Sequence, residues 1–95
     1  MKRLLWWLLA GSRGGGNRAQ LIRTLKERPY NAHQLAETLG LDYKTIRHHL
    51  KVLSENSVVV TSGQGYGAMY FLSPLMEQHY QEFLDIIAQV SPHGS

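Results

Sequence analysis

Apolar side chains recur at helical spacing over most of the chain and at strand spacing in one region past its midpoint. The opening run, Leu4-Leu5-Trp6-Trp7-Leu8-Leu9-Ala10, is continuously apolar and is closed by the breaker Gly11-Ser12-Arg13-Gly14-Gly15-Gly16. Asn17 then offers an N-cap for a helix from about Arg18 to Arg28, which Pro29 stops. Leu21, Ile22 and Leu25 share its inward face, and Arg18, Arg23 and Lys26 fall off it. Asn31 caps a shorter helix with Leu35, Ala36 and Leu39 inward, ended by Gly40 as a left-handed closing residue. Asp42 caps the next, in which Ile46, Leu50 and Leu53 fall at i, i+4 and i+7.

Beyond Asn56 the period changes from helical to two. Val58-Val59-Val60-Thr61 is β-branched and predicts a strand, Gly63-Gln64-Gly65-Tyr66-Gly67 a flexible turn, and Ala68-Met69-Tyr70-Phe71-Leu72 a returning strand. Ser73-Pro74 opens a last helix with an N-cap and Pro at the first position. Its stripe of Met76, Tyr80, Phe83, Ile87 and Val90 is apolar, with Leu84 and Ile86 beside it. The tail Ser91-Pro92-His93-Gly94-Ser95 is expected to fray. The order helix, helix, helix, helix, hairpin, helix predicts an α+β fold, mostly α, in which a β-wing follows a helix-turn-helix.

Composition narrows the function. Ninety-five residues make one domain with one modest core. With no cysteine, disulfides, thiolate metal sites and cysteine nucleophiles are excluded, and a reducing cytoplasm is the expected location. Residues 1–54 carry all ten Lys and Arg against three acids, net +7; residues 55–95 carry four acids and no Lys or Arg, net −4. A polyanion partner for the first half follows from that split. Met1-Lys2-Arg3 and the apolar run imitate a signal peptide, but no good cleavage site follows. The run is far short of the ~20 residues that span a bilayer. A buried packing segment is the expectation, with no membrane partner.

The basic half becomes specific between Asn31 and Leu53. In a helix-turn-helix the second helix presents its N-terminal half to base edges while the first crosses the backbone. If Ile46, His49, Leu50 and Leu53 pack inward, the second helix leaves Tyr43, Lys44, Arg47, His48 and Lys51 outward, with Thr45 at the margin. Lys44 and Arg47 match the guanine N7 and O6 acceptors, and Tyr43 or His48 can donate to bases or phosphates. Lys51, a turn beyond Arg47, suits phosphate. On the wing, Gln64 and Tyr66 can reach phosphate or the minor groove, though the tip carries no Lys or Arg.

At these residues the chain resembles the ArsR-like group of winged helix-turn-helix regulators, especially its archaeal relatives. The resemblance rests on Gln34-Leu35-Ala36-Glu37, Leu39-Gly40-Leu41, Thr45-Ile46-Arg47-His48-His49-Leu50-Lys51-Val52-Leu53 and the Val58–Leu72 wing, and spans roughly Arg18 to Leu72. It implies a dimeric transcription regulator whose recognition helix starts after Asp42. Two departures stand out. Ser57 replaces the family's usual glycine, so Asn56 is expected to take the left-handed conformation instead, and the cysteine metal sensor of the recognition helix is missing.

Other constellations carry less. His79-x-x-Glu82, with Asp85 beyond, resembles half of a zinc site that some family members build, but the Asp-x-His half is missing, so an interfacial polar pair is expected. His48 and His49 point about 100° apart on a helix and cannot chelate together. His49 is expected to donate to a backbone group in the core, with pH-sensitive binding as a consequence of either histidine. Gly11-x-x-x-x-Gly16-Asn17-Arg18 has the spacing of a phosphate loop without its Lys and Ser/Thr. No catalytic pairing, metal site or cofactor motif emerges.

The sequence thus predicts one domain: residues 1–16 an apolar segment and Gly-rich loop, 17–72 a DNA-binding core, 73–95 a C-terminal helix. It is expected to bind specific double-stranded DNA as a homodimeric repressor, with Trp6, Trp7, Met76, Tyr80, Phe83, Ile87 and Val90 at the dimer interface. The alternatives are a winged-helix protein-interaction module of a transcription complex and a sequence-blind architectural DNA binder. The cations on the second helix weigh against the first.

Overall fold

In the computed structural model, which describes residues 1–90 and only the backbone of Tyr66, the opening apolar run is helix α1 (Lys2–Leu9). The expected fraying tail, 91–95, lies outside the described residues. Leu5, Leu8 and Leu9 are buried, whereas Trp6 is half-buried and Trp7 is 53% exposed.

Helix α2 (Gly15–Glu27) starts earlier than the sequence predicts, and Asn17 is not its cap. The residue before it is Gly14 at φ +82°, which has no side chain to cap with. Helix packing sets this boundary. A Cβ on Gly15 would stand 2.1 Å from the Leu9 carbonyl oxygen, and a Cβ on Gly14 2.5 Å from Cε1 of His49. The glycines are therefore drawn into and against the first turn of α2 by close backbone approach, which local capping preference cannot reveal. Arg18 also departs from expectation: it points inward and is 3% exposed.

Two residues, Tyr30–Asn31, form strand β1, which the sequence does not predict. Asn31 then caps α3 (Ala32–Leu39) as expected. Its Oδ1 accepts the Gln34 N–H at 2.8 Å, and Gln34 Oε1 accepts the Asn31 N–H at 2.9 Å, a reciprocal capping box. Asp42 caps α4 (Tyr43–Glu55), with Oδ2 accepting the Thr45 N–H at 3.2 Å. The wing is β2 (Val59–Ser62), a 3-10 turn at Gly65–Gly67 and β3 (Met69–Leu72). β3 is the middle of an antiparallel sheet of order β1-β3-β2, with Tyr30 opposite Tyr70 and Thr61 opposite Tyr70 on its other side.

Ser57, not Asn56, takes the left-handed conformation, at φ +61°. Asn56 is occupied otherwise: its Nδ2 donates to the Val52 carbonyl at 2.8 Å, closing α4. The Ser57 carbonyl accepts the Ser73 hydroxyl at 2.7 Å, which fixes the turn against the base of the wing.

The last helix is two, α5 (Pro74–Gln78) and α6 (Tyr80–Val90). Ser73 caps α5, accepting the Met76 N–H at 3.0 Å, and the chain bends at His79 (φ −106°, ψ 16°) before α6 packs against α1. Met76 and Phe83 are fully buried and Ile87 nearly so, within this one chain's core. They have no surface to offer a second subunit, so their place in the predicted dimer stripe is corrected: the partner of that stripe is α1 and the core beneath it.

Gly15→Ala must push the α1 and α2 backbones apart and is expected to destabilise by about 1–3 kcal/mol, as overpacking does. Gly16 has open space at its Cβ position, so Gly16→Ala should be neutral or stabilising by up to ~1 kcal/mol. Urea denaturation of the two variants checks the contrast.

Candidate nucleic-acid interface

The capped start of α4 sets which side chains face out. Ile46, His49, Leu50 and Leu53 are buried, the four positions predicted to pack inward. Lys44, Arg47, His48 and Lys51 are exposed, and Thr45 is half-buried at the margin. Arg47 and His48 each stand three or four residues from both Lys44 and Lys51, so this side of the helix carries three permanent cations and an imidazole.

Tyr43 is half-buried, its ring stacked on His33 at 4.4 Å between centroids and 20° between planes. That stack joins the first turn of α4 to the first turn of α3, and His33 is a contributor the sequence did not single out. A cleft of about 490 Å³ separates α4 from the wing. Tyr43 and Arg47 line it from the helix, and Thr61, Gln64, Ala68 and Tyr70 from the wing, with Gly63 and Gly65 at the tip. Three predicted residues, Tyr43, Arg47 and Gln64, are thus brought together, while Lys44, His48 and Lys51 continue the same helix outside the cleft. The Tyr66 side chain, also predicted here, lies outside what the structure describes.

Tyr70 is the residue that sequence reasoning missed. Its hydroxyl accepts from Arg47 Nη1 at 2.9 Å, and its ring is buried in the central strand. A guanidinium held through Nη1 keeps its Nε and Nη2 edge free, the pair of parallel donors that suits guanine O6 and N7. Only the inward phase of β3 hinted at Tyr70, and strand phase does not name a partner on α4.

Behind the interface, Arg18 Nη1 lies 3.3 Å from His49 Nδ1. Arginine only donates, so Nδ1 accepts, and Nε2 is the ring nitrogen that carries the proton His49 can donate. Burial, then the Arg18 charge and then His48 hold the His49 imidazolium below its ordinary range. Burial also lowers the Arg18 guanidinium, which stays charged. Elsewhere His79 Nδ1 and Glu82 Oε2 pair with each other at 2.5 Å where α5 meets α6. Among the described residues no three His, Asp or Glu side chains converge on a point that would hold a metal. No helix among the described residues is long and apolar enough to cross a membrane.

Residues 16–59 match the family described as bacterial regulatory protein, arsR family. No curated protein sequence matches the chain. Among solved structures, the transcriptional regulator homologue of Pyrococcus horikoshii OT3 superposes with a TM-score of 0.71 at 18% identity, over 98% of this chain and 97% of that one. The transcriptional repressor BigR of Xylella fastidiosa gives 0.68 at 24% identity, over 87% and 83%. Staphylococcus aureus MarR gives 0.68 at 15% identity over 81% of this chain, which spans about half, 54%, of the MarR length. These likenesses establish the fold, and the matched segment contains α3, α4 and their caps. The chain thus has the winged helix-turn-helix fold, and its residues 16–59 are similar to the arsR family of bacterial regulatory proteins, a likeness that supports a DNA-binding transcriptional regulator.

Proposed function

We propose that the chain reads a specific duplex sequence as a homodimer in the cytoplasm and represses transcription by occluding a promoter. The observation that carries this reading is the face of α4. Lys44, Arg47, His48 and Lys51 stand exposed beside a cleft that ends in the wing. A helix of this kind enters the major groove with its first turns on base edges, and the wing then meets the flanking backbone. Arg47 and Lys44 are the base readers, Tyr43 and Gln64 border the groove, and Lys51 holds phosphate. Trp7 on α1 and Leu84 and Val90 on α6 remain exposed, so they, with half-buried Trp6 and Tyr80, are the residues through which two copies meet. Two-fold symmetry then calls for a pseudo-palindromic operator with half-sites about 34 Å apart.

Fluorescence anisotropy on the DNA upstream of the chain's own gene and on scrambled DNA, at two salt concentrations, tests the reading. Equal affinities for the two DNAs would overturn sequence specificity. Arg47→Ala should lose about 1–3 kcal/mol of discrimination between them. Lys51→Ala should weaken both alike and lower the slope of log affinity against log salt by about 0.9. Tyr70→Phe keeps the buried ring but frees the Arg47 side chain, which then has to be ordered on binding. Ordering such a side chain takes about 0.5–1.5 kcal/mol, so cognate affinity should fall about 2- to 10-fold. The melting temperature of the Phe variant should stay within a few degrees of the parent, which separates tethering from folding.

A further inference from the structure

The buried pair behind α4 has no part in contacting DNA, yet it joins three segments. Arg18 Nε donates to the Leu8 carbonyl at 2.9 Å and Nη2 to the Arg13 carbonyl at 2.8 Å. Nη2 also donates to the Ser12 hydroxyl, and Nη1 to His49 Nδ1 at 3.3 Å. One guanidinium therefore ties the end of α1 and the turn after it to the middle of the recognition helix. The turn also lies close against the imidazole, since a Cβ on Gly14 would come within 2.5 Å of His49 Cε1.

The joint works with one protonation state. All of Arg18's groups donate, so His49 Nδ1 must offer a lone pair and the ring proton must sit on Nε2. A doubly protonated imidazole would set an N–H against an N–H and a cation against a cation, with His49 5% exposed. The charges acting on His49 are Arg18 from α2 and its neighbour His48 on α4, and both act against its protonation. We propose that Arg18 and His49 form a proton-sensitive joint that positions the recognition helix: neutral His49 holds α4 against the α1–α2 turn, and protonated His49 releases it and weakens DNA binding. The DNA part rests on the function proposed above.

The sign follows from linkage. With the His49 imidazolium held below its ordinary range, the folded chain binds fewer protons than the unfolded chain just below about pH 6.5. Stability and the closed joint are thus complete above that pH and decline as pH falls through the value His49 has when folded. Apparent affinity scales with the closed fraction, so one linked proton weakens binding by up to about tenfold per pH unit. His48, exposed on the same face of α4 as Lys44 and Lys51, is the other histidine that the test has to separate from His49.

Two measurements on the full chain decide the matter. In DNA titrations between about pH 5 and pH 8, the parent should lose affinity in acid and His48→Asn should keep that loss. His49→Asn places an oxygen acceptor near the Nδ1 position that cannot take up a proton, and should abolish the loss. An undiminished acid loss in His49→Asn would refute the joint. In the free protein, NMR should show unprotonated Nδ1 on His49 near neutral pH. The amides of Leu9 to Gly14 should shift with the same titration midpoint as the His49 ring, and a turn that ignores that titration would equally refute it. Absence of DNA binding at any pH would count against the proposed function, and the free-protein titration would then decide the joint alone.

Discussion

A single buried guanidinium organises the N-terminal half of this fold. Arg18 is 3% exposed, and among the described residues no carboxylate pairs with it. Burying a charge in that way is strongly unfavourable unless hydrogen bonds replace its water. Here the replacements are two carbonyls and a hydroxyl from the end of α1 and the turn after it, with a ring nitrogen from α4 as the fourth. The carbonyl end of a helix carries partial negative charge, so the last turn of α1 serves Arg18 in place of a counter-ion. The dependence is mutual. Eight residues are too few for a helix to persist alone in water, and α1 is held by Arg18 together with the burial of Leu5, Leu8 and Leu9.

Docking of α1 then determines what the C-terminal helices can do. The stripe Met76, Phe83 and Ile87 has the heptad phase of an intersubunit seam, and from the sequence alone a dimer helix is a fair expectation. Periodicity reports that a face is buried, and it does not report whose chain buries it. With α1 folded back beside α6, that face is consumed inside the protomer. What is left outside on these helices is sparser: Trp7, Leu75, Leu84 and Val90.

The same distinction separates what was legible in the sequence from what was not. The caps Asn31, Asp42 and Ser73 are readable because each acts on a backbone N–H three residues away. The inward set Ile46, His49, Leu50 and Leu53 is readable because helical phase is local. Failures occur where the deciding neighbour is distant in the chain. Asn17 is a better cap than glycine by intrinsic preference, but Leu9 demands a residue without a side chain at position 15. Strand β1 is two residues long and exists because β3 has an edge to pair with. Ser57 strains its own backbone at φ +61° while its carbonyl holds Ser73, a contact sixteen residues away. The cations of the site could be listed from the sequence. That Tyr70 tethers one of them, across 23 residues, could not.

In the function proposed above, that tether is how the wing would contribute to reading without cations of its own. The tip holds Gln64 among glycines and no Lys or Arg, so its electrostatic pull on a phosphate backbone is weak. Its sheet instead supplies rigidity. Tyr70 lies on the central strand, bonded to β1 on one side and β2 on the other, so it holds the Arg47 side chain from a strand paired along both edges. A base-reading guanidinium gains discrimination only to the extent that its direction is fixed before contact, because a wandering arginine neutralises any phosphate equally well. Charge asymmetry completes the selection of a docking face, since α5 and α6 carry Glu77, Glu82 and Asp85 and no Lys or Arg. A polyanion approaching those helices meets like charge, and one approaching α4 meets three cations, one of them held by Tyr70.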